Sequence, residues 1–254
     1  MELKGAVAIV TGGGTGVGRA VSMDLARAGA KGIVISYSRS KVEAEETAEA
    51  VQAAGAEALV VAANVASEEE VKRMVDQTIG RFGRLEVLVN NAGTTRFIPH
   101  PDLDSITDEV WDTILSVNLL GPFYCCRAAA PHLKKSKGAI VNVASIAGLR
   151  GAGSSIPYAC SKAALTQLTR GLAIALAPDV RVNAVNPGLV KTRWFREGMG
   201  AEFAESFEQK VAETTPLRGV TLPEHVSQAI MGFIRADFVT GQYLVVDGGK
   251  NITY

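Results

Sequence analysis

The stretch T-G-G-G-T-G-V-G at residues 11–18 decides the fold of this 254-residue chain. An apolar run at residues 6–10 precedes it and a segment with helical spacing follows, so it is a turn between a first strand and a first helix. Gly12, Gly16 and Gly18 let the backbone turn sharply and approach an anion, because glycine has no Cβ. The helix then points its unpaired N–H groups at that anion. The spacing departs from G-x-G-x-x-G but favours a pyrophosphate site over a turn without a ligand.

Six further apolar runs, each of four to six residues, recur at residues 32–35, 58–62, 85–89, 139–143, 180–185 and 243–246. They are nearly continuous in apolarity, which is typical of strands covered on both faces of a parallel sheet. Segments with helical spacing lie between them and predict right-handed crossovers. We predict an α/β fold, in which residues 1–254 form one doubly wound Rossmann domain with a seven-stranded parallel sheet and helices on both faces.

The amino-acid composition argues against several classes of protein. The 26 basic and 26 acidic residues leave no net charge, which argues against a nucleic-acid or membrane-surface binder. No apolar run reaches the roughly 18 residues of a membrane helix, and no signal peptide is indicated. Cys125, Cys126 and Cys160 form no C-x-x-C pair and indicate reduced thiols in a cytoplasmic protein. The three histidines are far apart in sequence, so no metal site is expected.

The end of the second predicted strand bears on cofactor choice. An NAD site usually places an acidic residue there, about 20 residues beyond the glycines. Here the segment is Ser36, Tyr37, Ser38 and Arg39, and the first predicted helix holds the one acid between Gly18 and residue 43. A 2′-phosphate would meet hydroxyls and a guanidinium, so the segment favours NADP over NAD. A merely solvated arginine is the alternative.

Three polar residues suggest the chemistry. Ser145 follows the run at residues 139–143, and Tyr158 and Lys162 lie four residues apart on one face of a predicted helix. A free phenol has a pKa of about 10, but a neighbouring ammonium and an oxidised nicotinamide both favour the phenolate. Tyr158 would then exchange a proton with a carbonyl or alcohol oxygen that Ser145 hydrogen-bonds. A surface tyrosine and lysine on an ordinary helix are the alternative.

These elements occur in an order that resembles the short-chain dehydrogenase/reductase family along essentially the whole chain. The ordered elements are the glycine turn, N-N-A-G at 90–93, Asn118, Ser145, Y-A-C-S-K at 158–162, P-G-L-V-K-T at 187–192 and V-D-G-G at 246–249. Within the family the chain looks similar to the 3-oxoacyl-(acyl-carrier-protein) reductase-like group. That group acts on acyl thioesters, sugars, polyols, steroids and small ketones, so the resemblance leaves the substrate open.

The resemblance implies roles for individual residues. Tyr158 is the general acid/base, Ser145 orients the substrate oxygen, Lys162 lowers the pKa of the tyrosine and holds the nicotinamide ribose, and Asn118 positions a water in a proton relay. Asn64 stands where the family often has Asp, which weakens the expected adenine contact. With the turn and the segment after strand two, the implied cofactor site comprises Gly12, Thr15, Gly16, Val17, Gly18, Ser36, Tyr37, Ser38, Arg39, Asn64, Val65, Asn91, Ala92, Gly93, Tyr158, Lys162, Pro187, Gly188, Val190 and Thr192.

The expected function is hydride transfer between NADP(H) and a carbonyl or secondary alcohol, with a 3-oxoacyl thioester as one candidate substrate. An NAD-dependent sugar or polyol dehydrogenase and a non-catalytic NADP(H)-binding sensor or scaffold are the alternatives. Residues 189–216 are aromatic-rich and predict a lid over an apolar substrate pocket. Packing of these aromatic residues against the domain alone is the alternative. The resemblance also implies a homotetramer. Docking of an acidic carrier protein on three lysines at residues 134–137 remains open.

Overall fold

In a computed structural model that describes residues 1–253, seven strands form one sheet in the order β3-β2-β1-β4-β5-β6-β7, and every neighbouring pair is parallel. The strands are β1 (Val7–Val10), β2 (Gly32–Tyr37), β3 (Glu57–Ala62), β4 (Val87–Asn90), β5 (Ala139–Val143), β6 (Arg181–Pro187) and β7 (Tyr243–Val246). Each apolar run becomes a strand with bounds shifted by two residues at most. The predicted α/β Rossmann-type fold is confirmed.

Helices cover both faces of the sheet. They are α1 (Gly16–Arg27), α2 (Lys41–Ala53), α3 (Glu68–Phe82), α4 (Asp108–Leu115), α5 (Gly121–Ser136), α6 (Ala147–Arg150), α7 (Ile156–Leu176), α8 (Arg193–Met199), α9 (Ala201–Thr214) and α10 (Pro223–Arg235). A π-helical segment, Ser116–Leu120, joins α4 to α5, and a short 3₁₀ helix, Lys250–Ile252, follows β7. One apolar core contains side chains of α1, α2 and α10, and the other contains side chains of α3, α5 and α7.

The strand order creates the crevice in which ligands of such sheets bind. The chain runs outward from β1 to β3 and then returns to β4 on the other side of β1, so the order reverses between β1 and β4. Ligands of open α/β sheets bind beyond the carboxyl ends of strands at such a point. The glycine turn follows β1, and the segments that hold Asn91, Ser145 and Gly188 follow β4, β5 and β6. The fold therefore gathers the predicted site along one edge.

A buried chain of amides anchors α7 to the sheet. Asn90 Nδ2 on β4 donates to Asn142 Oδ1 on β5 at 2.8 Å, and Asn142 Nδ2 donates to Thr169 Oγ1 on α7 at 2.9 Å. All three side chains are buried. Buried polar groups are costly unless they are paired, so these bonds favour one position of α7 against β4 and β5. Since α7 carries Tyr158 and Lys162, the chain of amides also locates the predicted chemistry.

The region predicted as a lid contains two helices, α8 and α9, joined at Gly200.

The three cysteines differ in exposure: Cys125 and Cys126 are buried on α5, whereas Cys160 is exposed. Within residues 1–253, no helix is long and apolar enough to cross a membrane, and no cluster of three or more His, Cys, Asp or Glu side chains could hold a metal ion.

Candidate functional site

The backbone of the glycine turn requires residues without a side chain at several positions. Gly12 and Gly16 have φ angles of +60° and +50°, a region that side chains disfavour. A Cβ on Gly18 would lie 2.2 Å from the carbonyl oxygen of Gly12, so the first turn of α1 packs directly on the loop. A Cβ on Gly14 would lie 2.7 Å from Cα of Ala44 on α2. These close approaches hold the loop between α1 and α2.

Two polar side chains brace this loop against the end of β4. Thr11 Oγ1 accepts hydrogen bonds from the N–H groups of Asn91 and Ala92, both at 3.0 Å. Asn91 Nδ2 donates to the carbonyl oxygens of Thr11 and Gly12 at 2.9 and 3.0 Å. The Asn91 side chain therefore holds the glycine loop, and its contact with the cofactor stays a prediction. Thr11 is not among the predicted site residues, because a threonine before glycines carries no distinctive signal in the sequence.

The loop fits a diphosphate. Thr15, the N-cap of α1, makes no side-chain capping bond to the described residues, which leaves the N–H groups of the first turn for another acceptor. The loop lines a cleft of about 310 Å³ between α1, α2 and the segment after β6. The charged side chains at this cleft are those of Arg19, Lys191, Arg193, Glu43 and Glu46.

The segment after β2 leaves cationic and hydroxyl groups accessible. Ser38 and Arg39 are exposed, and Arg39 forms no ion pair within the described part of the chain. Tyr37 is half-buried at the end of the strand. Ser36 is buried; its carbonyl oxygen accepts from Gly13 N at 3.2 Å, and its hydroxyl lacks a partner among residues 1–253. Arg39 and Ser38 are therefore the members of this segment that a ligand can reach.

Tyr158, Lys162 and Ser145 meet at the carboxyl end of β5. Tyr158 lies in the first turn of α7, whose N-cap Ser155 accepts a hydrogen bond from Tyr158 N. Lys162 is one turn further along; its Nζ lies 5.7 Å from the centroid of the Tyr158 ring and donates to the carbonyl oxygen of Val143 at 2.8 Å. Ser145 Oγ accepts from Ala147 N at 3.1 Å, and its hydroxyl lies near enough to the phenol to lower the pKa of Tyr158. The three predicted groups thus share one small volume.

The direction of the tyrosine pKa differs from what the family resemblance implies. Burial raises the pKa of Tyr158 to about 12, and the neighbouring Ser145 hydroxyl offsets only part of that effect. Burial also lowers the pKa of Lys162 to about 8. The lowering of the tyrosine pKa by Lys162 and an oxidised nicotinamide stays a prediction for the complex with cofactor. The phenol keeps its proton at neutral pH, which suits donation of a proton to a carbonyl oxygen.

Asn118 lies in the π-helical segment and is fully buried. Its Oδ1 accepts from Thr94 N at 2.8 Å, and its Nδ2 donates to Thr94 O at 2.9 Å and to Ser161 Oγ at 3.1 Å. Ser161 Oγ in turn donates to the carbonyl oxygen of Tyr158 at 2.7 Å. A Cβ on Gly93 would lie 3.5 Å from Asn118 Oδ1 and 3.7 Å from Lys162 Nζ. Asn118 therefore joins the segment after β4 to the first turns of α7, which carry Tyr158 and Ser161.

Gly148 is a positioning residue that the sequence analysis missed. A Cβ there would lie 2.4 Å from the backbone nitrogen of Ala163 and 2.6 Å from the carbonyl carbon of Lys162. The short helix α6, which directly follows Ser145, consequently packs on the backbone of α7. This contact sets the separation of Ser145 from Lys162. A lone glycine after a strand does not reveal such a contact in the sequence.

The other predicted cofactor residues lie along the same edge with different exposure. Asn64 is exposed, and its Oδ1 accepts from the N–H of Ala66 at 3.1 Å, whereas the Val65 side chain is buried against the start of α5. The side chain of Val17 is also buried. Beyond the end of β6, Pro187 and Gly188 lead into the segment that brings Val190 beside Thr221 and Thr192 onto the glycine loop.

Aromatic side chains of the lid reach the predicted catalytic tyrosine. The ring of Trp194 packs edge-on against that of Tyr158 with centroids 6.2 Å apart, and the indole is 44% exposed. Phe195 contacts Phe97 from the segment after β4 at 6.0 Å and Phe207 from α9 at 5.4 Å. The lid and the segment after β4 are therefore two touching walls that rise beside the phenol.

Three comparisons place these features among known proteins. A family model described as short chain dehydrogenase matches residues 6–202. A Streptomyces violaceoruber protein described as a ketoacyl reductase of the granaticin polyketide synthase is 46% identical over 247 residues, which span 97% of this chain and 96% of that protein. The 3-oxoacyl-(acyl-carrier-protein) reductase of Synechocystis sp. is 36% identical over 253 residues and 97% of each chain. A crystal structure described as a Burkholderia xenovorans short-chain dehydrogenase/reductase superposes with a TM-score of 0.90, 34% identity and 98% coverage of both chains.

Proposed function

Since the chain belongs to the short-chain dehydrogenase/reductase family and is therefore an NAD(P)-dependent oxidoreductase, we propose that it reduces a carbonyl group with NADPH and that Tyr158 donates the proton. The observation that carries this proposal is the meeting of the Tyr158 phenol, the Ser145 hydroxyl and the Lys162 ammonium at the carboxyl edge of the sheet. A protein that only sensed the nucleotide would need the glycine loop but not this arrangement.

The proposed mechanism assigns one task to each side chain. The bound NADPH supplies the hydride that is added to the carbonyl carbon. Ser145 donates a hydrogen bond to the carbonyl oxygen, and Tyr158 transfers its phenolic proton to that oxygen as negative charge develops there. Lys162 would hold the cofactor's ribose hydroxyls and keep a positive charge near the phenolate that forms. Asn118 holds the start of α7 in place and belongs to the proposed proton relay.

The preference for NADPH rests on the residues after β2. The absence of an acidic side chain at residues 36–39 and the exposed guanidinium of Arg39 both suit a 2′-phosphate. The loop of Gly12, Gly16 and Gly18 would hold the diphosphate of the cofactor, and Thr192 lies beside Gly16 of that loop. The other residues of the proposed cofactor site lie along the same edge, at the carboxyl ends of the strands.

For the substrate we favour a 3-oxoacyl thioester or a related ketone. Two relatives with names that specify ketoacyl or 3-oxoacyl reduction align over nearly the whole chain. The aromatic walls beside Tyr158 provide apolar contact for a carbon skeleton and leave the carbonyl group to Ser145 and Tyr158. A carrier protein that presents the substrate would be a separate partner.

We also propose that the enzyme is a cytoplasmic homotetramer built from single-domain subunits. Large apolar side chains are exposed on α7 and β7, where Ile174 is 81% and Leu244 is 48% exposed. Side chains of this kind are normally covered when they form a contiguous patch. Light scattering coupled to size-exclusion chromatography measures the subunit number directly, and a monomer at micromolar concentration would contradict the assembly.

Steady-state kinetics with both nicotinamide cofactors test the proposed function. The panel should contain 3-oxoacyl thioesters, simple ketones and sugars. We expect the highest kcat/KM for a ketone or 3-oxoacyl thioester with NADPH. Oxidation of a sugar or polyol with NAD⁺ as the best reaction would replace the proposal with a polyol dehydrogenase. Tight binding of NADP(H) without turnover of any class would replace it with a sensor or scaffold.

A further inference from the structure

An arginine of the lid reaches across the cofactor cleft. Arg193 is the first residue of α8, and its guanidinium pairs with the carboxylate of Glu43 on α2. The same guanidinium donates to Ser40 Oγ at 3.1 Å. Ser40 is the N-cap of α2 and directly follows Arg39. Arg193 therefore brings a positive charge beside the segment after β2, to which the NADPH preference is assigned. The two partners of the ion pair are about 150 residues apart in the sequence.

We propose that Arg193 is a second selectivity residue for NADPH, contributed by the lid, which neutralises Glu43 and offers a further donor to the 2′-phosphate. The inference rests on the proposed function, since it needs NADPH to be the cofactor. It adds a residue that the sequence pattern after β2 does not contain. It also extends the cofactor role of the lid beyond Val190 and Thr192, which the proposed cofactor site already includes.

Glu43 makes the neutralisation necessary. Its carboxylate lines the cleft together with Glu46, and a bare carboxylate beside the 2′-phosphate would repel it. The hydrogen bond from Arg193 lowers the pKa of Glu43, so this carboxylate is charged at neutral pH. The nearest lysine of α2, Lys41, lies 3.6 Å from Glu45 and is directed to that residue. Arg193 is thus the cation that pairs with Glu43.

The lid backbone holds Arg193 close to the glycine loop. The methyl group of the preceding residue, Thr192, packs on Gly16. A Cβ added to Gly16 would lie only 3.2 Å from that methyl group. Arg193 Nε also lies 3.7 Å from a carboxylate oxygen of Glu197 one turn along α8. Its side chain is 45% exposed, and guanidinium groups have several donors, so the same group can contact Glu43, Ser40 and a phosphate oxygen together.

Fluorescence titration separates this role from a purely structural one. The dissociation constants of NADPH and NADH are measured for the parent protein and for Arg193→Met, Arg193→Lys, Glu43→Gln, Arg193→Met with Glu43→Gln, and Arg39→Met. Arg196→Met is the matched control, because Arg196 is another lid arginine but pairs with Glu205 on α9 at 3.3 Å. Thermal unfolding of each variant verifies that it folds.

We expect Arg193→Met to weaken NADPH binding about tenfold and to leave NADH binding nearly unchanged, as for one lost charge-assisted contact. Arg193→Lys should retain part of the preference. Adding Glu43→Gln to Arg193→Met should recover the part of the loss that comes from repulsion by Glu43, but not the part that comes from the lost contact with the 2′-phosphate. Arg196→Met should bind both cofactors as the parent does.

Equal weakening of NADPH and NADH by Arg193→Met would overturn the inference, since a simple strap across the cleft would affect both. No change for either cofactor would overturn it as well. If Arg39→Met reduces the NADPH preference and Arg193→Met does not, the inference fails while the proposed function stands. If the parent protein binds NADH at least as tightly as NADPH, the proposed cofactor preference fails and this inference fails with it.

Discussion

Nζ of Lys162 lies 5.7 Å from the centroid of the Tyr158 ring, one helical turn further along α7. The ammonium is fastened there by its hydrogen bond to the Val143 carbonyl oxygen at the end of β5. The cation beside the phenol is thus held by the sheet as well as by the helix. Burial acts on the two groups in opposite directions, since it raises the pKa of Tyr158 and lowers that of Lys162. Both shifts favour the neutral form of the group.

Replacing Tyr158 with Phe removes the proposed proton donor and little else. Turnover should fall by a factor on the order of 10²–10⁴, the usual contribution of a general acid, while NADPH binding should change little. Stopped-flow or steady-state rates and fluorescence titration measure the two quantities. Tyr243→Phe, on β7 at 39% exposure, is the control and should keep full activity. Substantial residual turnover in Tyr158→Phe would remove the residue from its role.

The pH dependence of reduction should report Lys162. Its pKa of about 8 means that the ammonium is charged below that pH and is lost as the pH rises through it, whereas Tyr158, with a pKa of about 12, stays protonated. The kcat/KM for reduction should therefore fall above about pH 8 in the parent protein.

In Lys162→Arg this descending limb should move to much higher pH, because arginine stays charged. NADPH binding followed by fluorescence over the same pH range keeps the test decisive when the arginine variant turns over slowly. A limb that stays at the same pH in the variant would assign the titration to another group.

Gly148→Ala should disturb the packing of α6 on α7. The new methyl group would meet the Ala163 backbone nitrogen at 2.4 Å, so backbone must move. We expect a loss of about 1–3 kcal/mol in the free energy of unfolding, as for other overpacked sites, and reduced kcat because Ser145 shifts. Urea denaturation measures the stability.

Gly171→Ala is the matched control on α7, where a Cβ has no neighbour within 4 Å. It should leave activity unchanged and stabilise the helix by up to about 1 kcal/mol. Equal stability of the two alanine variants would contradict the close approach assigned to Gly148.

Trp194→Ala should raise KM for ketone substrates about tenfold, which is the effect of losing one aromatic contact, and leave the dissociation constant of NADPH nearly unchanged. Trp194→Phe should retain most of the affinity, since a ring still packs against Tyr158. Phe238→Ala, a fully exposed aromatic residue outside the site, is the control. A loss of kcat with unchanged KM would assign Trp194 to positioning of the phenol rather than to substrate contact.

The fold was predictable because its signals are local. A buried parallel strand is apolar on both faces, so each strand stands out as a run of Val, Ile and Leu without reference to the rest of the chain. Residues 139–143 and 243–246 were predicted with the bounds that the structure has. The glycine turn was equally recognisable in the sequence, since positive φ angles at Gly12 and Gly16 need residues without a side chain.

Several features of the site were not predictable because they depend on contacts between distant segments. The bracing of the loop by Thr11 and Asn91 joins residues 80 apart, and the close approach of Gly148 to α7 exists only after both helices pack on the sheet. The pKa of Tyr158 likewise follows from burial, which pairwise spacing on a helix does not reveal.

The amino-acid sequence by itself determined the strand–helix alternation, the glycine loop and the identity of the Ser145, Tyr158 and Lys162 groups, because these depend on residue type and short spacing. The tertiary structure alone decided that burial raises the pKa of the Tyr158 phenol and that Arg193 of the lid meets Glu43 of α2. Desolvation and long-range ion pairs are properties of the packed chain, since each arises from atoms that only folding brings together.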